Sequence, residues 1–390
     1  MRDLVILGST GSIGVQALEL IAANPGKFRV VAITSAGNNP ALLIEQAKKF
    51  SVGVVGTIHN AELIRDALPG VTVIDGKDAA AEVASITCDV VLNAITGSIG
   101  LAATLSALKV GNRLALANKE SLVAAGDLVM SIAKTDQIIP VDSEHSALSK
   151  LLGSVKKKNI RKLVITASGG PFLDKKNDEL EFVSVEESLK HPTWKMGNKI
   201  TIDSATLINK GLELIEATYL FGIKHELIDI LVHPESLIHG IISLKDGTSM
   251  AMMADADMRI PISNALFTEL NSPKYGNLSL EKVGKLTFKS LDNDKFPSVK
   301  LARQALDIGP IGVISYNASS EVAVQSFILG KIKFTEIFGI IENSVANMHK
   351  NVHIQNVDNI LSILKINSKA KNVAGNLVKE LLIDKGSKVD

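Results

Sequence analysis

Two carboxylates and a serine stand together in PVDSEHSAL, residues 140–148, directly after an apolar, strand-like run. In extended chain Asp142 and Glu144 point the same way, because side chains alternate. Two like charges about 4 Å apart repel by about 4 kcal/mol at an effective dielectric of 20, so a convergent pair calls for a cation or a shared proton. The same residues also fit a plainer role, with Asp142 as a helix N-cap and Glu144 as a first-turn acid. A second group, DSATLINKGLELIEA, puts Asn209 and Glu213 at i and i+4 on one helical face with Lys210 adjacent, while Ser204 stands where a cap for that helix is expected. Three oxygen-donor carboxylates, Asp142, Glu144 and Glu213, suit a hard divalent ion such as Mg²⁺ or Mn²⁺, whereas zinc more often recruits His or Cys.

Three further segments offer polar groups. Lys119, in NKES, follows a strand and so belongs at the same carboxyl edge as Asp142. TASGGPF brings Ser168 and two glycines after another strand, where backbone can meet an anion. HPTWKMGNK holds the only tryptophan, Trp194, in a glycine-bearing polar loop whose composition suits a lid. Each has an ordinary account as well: Lys119 as a solvated charge, Ser168 as a turn residue, His191 as a loop residue before proline, Trp194 as a core plug.

These residues need elements to position them. LVILGSTGSIG sets Gly8, Gly11 and Gly14 between a first strand and a helix, where missing side chains let backbone N–H groups approach a pyrophosphate at the helix N-terminus. The spacing is G-x-x-G-x-x-G rather than G-x-G-x-x-G, and an ordinary βα turn is the alternative. The second strand ends in AITSAGNNP, without the Asp or Glu that usually meets the ribose hydroxyls of NAD. Ser35, Asn38 and Asn39, with Gly37 among them, point to NADP instead, unless they only form a turn. Short β-rich runs at Leu4, Arg29, Val52, Val71, Asp89, Arg113 and Ile138 alternate with amphipathic segments, so a doubly wound parallel sheet, Rossmann-like, is expected over residues 1–149. An α+β domain is expected over 150–274, a linker over 275–297, and a helical bundle over 298–390, where Val373, Leu377 and Leu381 recur at i, i+4 and i+8.

Composition narrows the function classes. The chain has 390 residues, 46% of them hydrophobic, enough for more than one core. Forty-two basic residues against 41 acidic ones give a net charge of +1, and no basic stripe of a nucleic-acid binder is present. The single cysteine, Cys88, excludes an intrachain disulfide and reads as a small core residue. No run is long and apolar enough for a membrane span, and MRDL leads into the first strand without signal-peptide anatomy, so a cytoplasmic location is expected.

Together and in order, LGSTGSIG, LANKESLV, PVDSEHSAL, SGGPF, HPTWKMGNKITIDSATLINKGLELIEA, VHPESLIHG and DADMRIPI resemble the 1-deoxy-D-xylulose 5-phosphate reductoisomerase family over nearly the whole chain. The resemblance implies an NADPH-dependent enzyme of isoprenoid biosynthesis, a homodimer, using one Mg²⁺, Mn²⁺ or Co²⁺ ion. Asp142, Glu144 and Glu213 match its metal ligands; Lys119 and Ser143 match residues at the substrate's reacting oxygens. Ser168, Ser204, Asn209 and Lys210 match its phosphate-binding group, with His191 on the flap beside them, and Trp194, Met196 and Met258 match residues covering the substrate. Thr10, Gly11, Ser12, Ile13, Asn118, Glu120 and Gly197 match positions around NADPH. Many members carry lysine where this chain has Asn38. The implied reaction is a carbon-skeleton rearrangement of a sugar phosphate, by retroaldol cleavage and re-aldolisation, followed by hydride reduction of the aldehyde. The alternatives are a Rossmann-type dehydrogenase of another small substrate and a catalytically silent NADP-binding regulator.

Overall fold

A computed structural model of the chain describes residues 1–194, 197–267, 276, 278–352 and 357–386. They form two compact units. The first comprises Met1–Ser121, Asp127–Ser149 and Asp257–Asn277; the second comprises Leu122–Gly126, Lys150–Ala256 and Leu278–Asp390.

The first unit is a seven-stranded parallel sheet of β1 (Arg2–Leu7), β2 (Phe28–Ser35), β3 (Val54–Thr57), β4 (Thr72–Asp75), β5 (Val90–Asn93), β6 (Arg113–Leu116) and β7 (Ile138–Pro140). Their spatial order is β4-β3-β2-β1-β5-β6-β7. Strand order therefore reverses between β1 and β5, the crevice where open α/β sheets take ligands. Leu4 to Leu7 are buried, as is all of β5. Such unbroken apolar runs, rather than alternation, are what a sheet covered by helices on both faces demands. Leu4, Ile6, Val90 and Leu92 share a core cluster with Leu18, Ile21 and Ile262.

The second unit contains a mixed five-stranded sheet of β8 (Ile160–Ala167), β9 (Ile228–Val232), β10 (Ile238–Leu244), β11 (Ser249–Met253) and β12 (Lys289–Ser290), in the order β11-β10-β8-β9-β12. The β8–β9 pairing is parallel and the others antiparallel. Helices Ser298–Ile308, Pro310–Ile328, Glu336–Asn351 and Ile360–Gly386 complete the unit. In the last of these the buried stripe is Ala370, Ala374 and Val378, one position beyond the expected Val373, Leu377 and Leu381, which lie at its margin. Small residues face inward there because neighbouring helices pack closely, and a hydrophobicity pattern weights leucine over alanine.

The segment DSATLINKGLELIEA, expected as one helix capped by Ser204, is divided between two, Asn198–Ala205 and Ile208–Phe221, with a break at Leu207, φ 56 and ψ 14. A left-handed residue cannot continue a right-handed helix. Ser204 therefore lies in the last turn of the first helix instead of capping the second.

Candidate functional site

In the first unit, pairing of Leu7 with Asn93 places the turns after β1 and β5 side by side. Gly8 has φ +80, and a Cβ there would lie 2.8 Å from the Ala94 carbonyl oxygen. A Cβ on Gly14 would fall 2.4 Å from the Gly8 carbonyl oxygen and 2.5 Å from Ser9 Cα. Only glycine lets the helix Ser12–Ala22 start this close to the turn. No side chain caps that helix, and Gly11 and Ser12 are exposed, with Thr10 and Ile13 half-buried beside them. The Gly11 amide donates to the Gly8 carbonyl at 3.1 Å, and the first-turn amides that follow have no side-chain cap, where the helix dipole favours an anion.

Asn118 and Glu120 hold the opposing wall. Asn118, 1% exposed, caps the helix Lys119–Ile132 by accepting from the Ser121 amide at 3.1 Å. Its Nδ2 donates to the carbonyls of Ile95 at 2.5 Å and Gly97 at 2.8 Å, while Glu120 Oε1 accepts from the Gly97 amide at 3.1 Å. These two cofactor candidates fasten the turn after β5. At the end of β2, Ser35 Oγ accepts from the Gly37 amide at 3.0 Å and Asn39 caps the helix Pro40–Lys49 through the Leu42 amide at 3.2 Å. Asn38 is exposed, and no acidic side chain occupies 35–39.

At the ends of β6 and β7, Lys119 Nζ meets Asp142 Oδ2 at 2.5 Å, with the two side chains 9% and 12% exposed. Asp142 opens the helix Ser143–Leu152: its carbonyl accepts from the Ser146 amide at 2.8 Å, and Oδ1 lies 3.3 Å from both the Glu144 amide and His145 Nδ1. One carboxylate oxygen of Asp142 thus turns to the helix start and the other to the Lys119 ammonium. Ser143 Oγ donates to Glu144 Oε2. Carboxylates so little exposed require positive charge nearby, and hard oxygen donors fit a divalent cation of the magnesium type. His145, fully buried one turn after Asp142, was not singled out from sequence, although its i+3 spacing was there to read.

In the second unit, the turn after β8 carries Ser168, with Gly169 at φ +85 and Gly170 at φ +68. His191 Nε2 lies 3.1 Å from Ser168 Oγ and 3.1 Å from Ser204 Oγ. His191 Nδ1 accepts from the amides of Thr193 at 3.1 Å and Trp194 at 2.9 Å. Nδ1 is therefore bare, and the ring proton sits on Nε2, facing the two serines. Burial, with the Lys210 ammonium as a second cause, lowers the His191 pKa to about 4. Trp194 stands edge-on to His239 with ring centroids 6.2 Å apart. Gly197 begins the helix Asn198–Ala205. Lys210 Nζ donates to Glu213 Oε2 at 2.7 Å, with side chains 8% and 1% exposed, and Asn209 Nδ2 donates to Glu213 Oε1. Glu216, equally buried one turn on, is a second acid that the sequence reading passed over. Met258 belongs to the first unit, packed against its core, and Met196 lies outside the described residues.

A glycine turn at the switch point of a parallel sheet, joined in one chain to a second unit with buried lysine–carboxylate chemistry, defines a Rossmann-type nucleotide-dependent enzyme. Family comparison narrows this. The family described as 1-deoxy-D-xylulose 5-phosphate reductoisomerase matches residues 4–126, its C-terminal domain matches residues 138–221, and the DXP reductoisomerase C-terminal domain matches residues 253–373. The 1-deoxy-D-xylulose 5-phosphate reductoisomerase of Paenarthrobacter aurescens is 42% identical over 379 residues, covering 93% of this chain and 95% of that protein. That of Corynebacterium efficiens is 43% identical over 390 residues, covering 97% and 98%. Among solved structures, a DOX-P reductoisomerase in complex with NADPH, fosmidomycin and magnesium is 35% identical with a TM-score of 0.89, covering 98% of this chain and 99% of that one. The Zymomonas mobilis enzyme in complex with NADPH also has 35% identity and a TM-score of 0.89, covering 97% and 99%. The chain belongs to the 1-deoxy-D-xylulose 5-phosphate reductoisomerase family.

Proposed function

We propose that the chain converts 1-deoxy-D-xylulose 5-phosphate to 2-C-methyl-D-erythritol 4-phosphate, using NADPH and one divalent cation. The observation that carries this reading is the polar cluster of Ser168, Ser204 and His191 under the charge of Lys210, a set suited to a phosphate monoester. Asp142, Glu144 and Glu213 would hold the cation, which when bound supplies Lewis-acid polarisation of a carbonyl oxygen. Lys119 places an ammionium-type donor beside Asp142, where it steadies negative charge developing on a substrate oxygen. Ser143 offers a hydroxyl in the same helical turn. Ser168, Ser204, Asn209 and Lys210 bind the remote phosphate, and that binding energy orders the His191–Trp194 segment over the substrate. Trp194 and Met258 then exclude water, with Met196 assigned the same role from the family. The amides of Ser12 and Ile13, which open the helix without a side-chain cap, receive the cofactor's pyrophosphate, and Asn38 is assigned to the 2′-phosphate.

Neither alternative gains from the structure. Cys88 is half-buried, donates to the Val90 carbonyl at 3.4 Å and has its thiol pushed up to about 11, so a thiolate-dependent dehydrogenase reaction has no nucleophile there. No helix among the described residues is long and apolar enough to cross a membrane. A cytoplasmic homodimer is part of the same proposal, to be read by sedimentation velocity.

The test follows NADPH absorbance with 1-deoxy-D-xylulose 5-phosphate and Mg²⁺ or Mn²⁺, then with excess chelator. Substrate-dependent oxidation that yields methylerythritol phosphate and stops with chelator is expected. Oxidation with another small carbonyl substrate alone would favour a different dehydrogenase, and NADPH binding without turnover a silent regulator.

A further inference from the structure

The helices carrying the proposed phosphate ligands meet at a strained residue. Asn198–Ala205 brings Ser204 in its last turn, Ile208–Phe221 brings Asn209 and Lys210 in its first, and Leu207 between them has φ 56. A bulky residue rarely adopts this conformation, and it persists only where surrounding structure fixes it. Here the fixing groups come from the helices beyond residue 297, which the sequence pattern assigned to a separate bundle. Ser298 Oγ donates to the Thr206 carbonyl at 2.7 Å, on one side of the bend. Tyr316 Oη donates to the Ser298 carbonyl at 3.1 Å. The same phenol abuts Gly211 on the other side, where a Cβ would lie only 2.1 Å from Oη. Ser298 and Tyr316 are both fully buried, so their hydroxyls depend on these bonds and hold their direction.

We infer that Ser298 and Tyr316 are positioning residues for substrate phosphate: by bracketing Leu207 at Thr206 and Gly211 they set Ser204 against Asn209 and Lys210. The far helices thus act on substrate affinity without touching substrate. This rests on the phosphate assignment above, and the experiment separates the two ideas.

Ser298→Ala, Tyr316→Phe, Ser298→Thr, Ser319→Ala and Lys210→Ala are compared by steady-state kinetics, NADPH binding, inhibition by inorganic phosphate and thermal melting. Ser319 is an equally buried hydroxyl that bonds only within its own helix, to the carbonyls of Ser315 at 2.7 Å and Tyr316 at 3.2 Å, and serves as the control. Ser298→Ala and Tyr316→Phe should raise KM for the sugar phosphate, and the inhibition constant of inorganic phosphate, roughly three- to tenfold, as expected for loss of one neutral hydrogen bond. The NADPH dissociation constant should stay within about twofold. Ser298→Thr, which keeps the hydroxyl, should retain the original KM, and Ser319→Ala should lower only the melting temperature. Unchanged KM in Ser298→Ala and Tyr316→Phe, alongside a raised KM in Lys210→Ala, overturns the inference and leaves the phosphate site standing. An equal rise in Ser319→Ala also overturns it, since general loosening would then suffice. Unchanged KM in Lys210→Ala overturns the phosphate assignment itself.

Discussion

The glycine-rich turn of the first unit and the serine–histidine cluster of the second both follow a strand, yet the anion sites proposed for them are built by opposite means. The turn uses backbone. Its glycines clear space, no side chain caps its helix, which opens at Ser12, and no lysine or arginine stands among residues 8–14. The cluster uses side chains drawn from three segments, Ser168, His191 and Ser204, with Lys210 supplying formal charge. A backbone site is specified by a few adjacent residues and tolerates changes of side chain. A side-chain site depends on distant segments arriving together and tolerates few.

That contrast can be broken most severely in the second unit. Glu213→Gln keeps the side chain's shape but removes the charge that Lys210 and Asn209 both contact. If Glu213 is a cation ligand, the loss should be several kcal/mol of transition-state stabilisation, or about a thousandfold in kcat, with NADPH binding unchanged. Fluorescence titration with NADPH alongside initial rates would check it. Turnover close to that of the unaltered chain would remove Glu213 from the reacting centre. The matching change in the turn, Ser12→Ala, should alter NADPH affinity by no more than a few fold.

The turn breaks instead through its backbone. Gly14→Ala would force a methyl against the Gly8 carbonyl and Ser9 Cα, neither of which can yield without moving the turn. Overpacking of this kind costs about 1–3 kcal/mol, so NADPH affinity should fall by roughly ten- to a hundredfold while the inhibition constant of inorganic phosphate stays put. Calorimetric titration with NADPH is the measurement. Equal weakening of both ligands would mean that the two sites are not independently built.

The same contrast explains what the sequence disclosed. The seven strands in chain sequence, the turn and the Lys119–Asp142 edge follow from local patterns: short apolar runs, glycines at fixed steps, a polar residue just past the strand. The spatial order β4-β3-β2-β1-β5-β6-β7 comes from tertiary pairing alone. Asn209, Lys210 and Glu213 were legible as neighbours because helical spacing places them so. The break at Leu207 was not, because nothing in leucine's propensity signals a left-handed residue; tertiary contacts from Ser298 and Tyr316 impose it. Ser204 was misread as a cap for that reason. His191 was legible as a loop residue, but its two serine contacts link positions 23 and 13 apart, and no local pattern encodes them.

The smallest effect concerns that histidine. Its Nδ1 holds the amides of Thr193 and Trp194 only while unprotonated, and its pKa is lowered to about 4 by burial and by Lys210. A folded-state pKa below the ordinary value of about 6.5 means that the neutral arrangement is fully present above pH 6.5 and is lost as pH falls through 4. Trp194 is the only tryptophan, so its emission reports this segment alone. Emission should stay constant from pH 8 to about pH 5 and change below it, whereas a solvated histidine would produce a midpoint near 6.5. Acid unfolding also shifts tryptophan emission, and His191→Asn separates the two, since any change that survives in the variant belongs to unfolding. The turn contains no titrating side chain from Gly8 to Gly14, so NADPH affinity measured over the same window should not follow the Trp194 curve. If it does, the difference between a backbone site and a side-chain site does not hold for this protein.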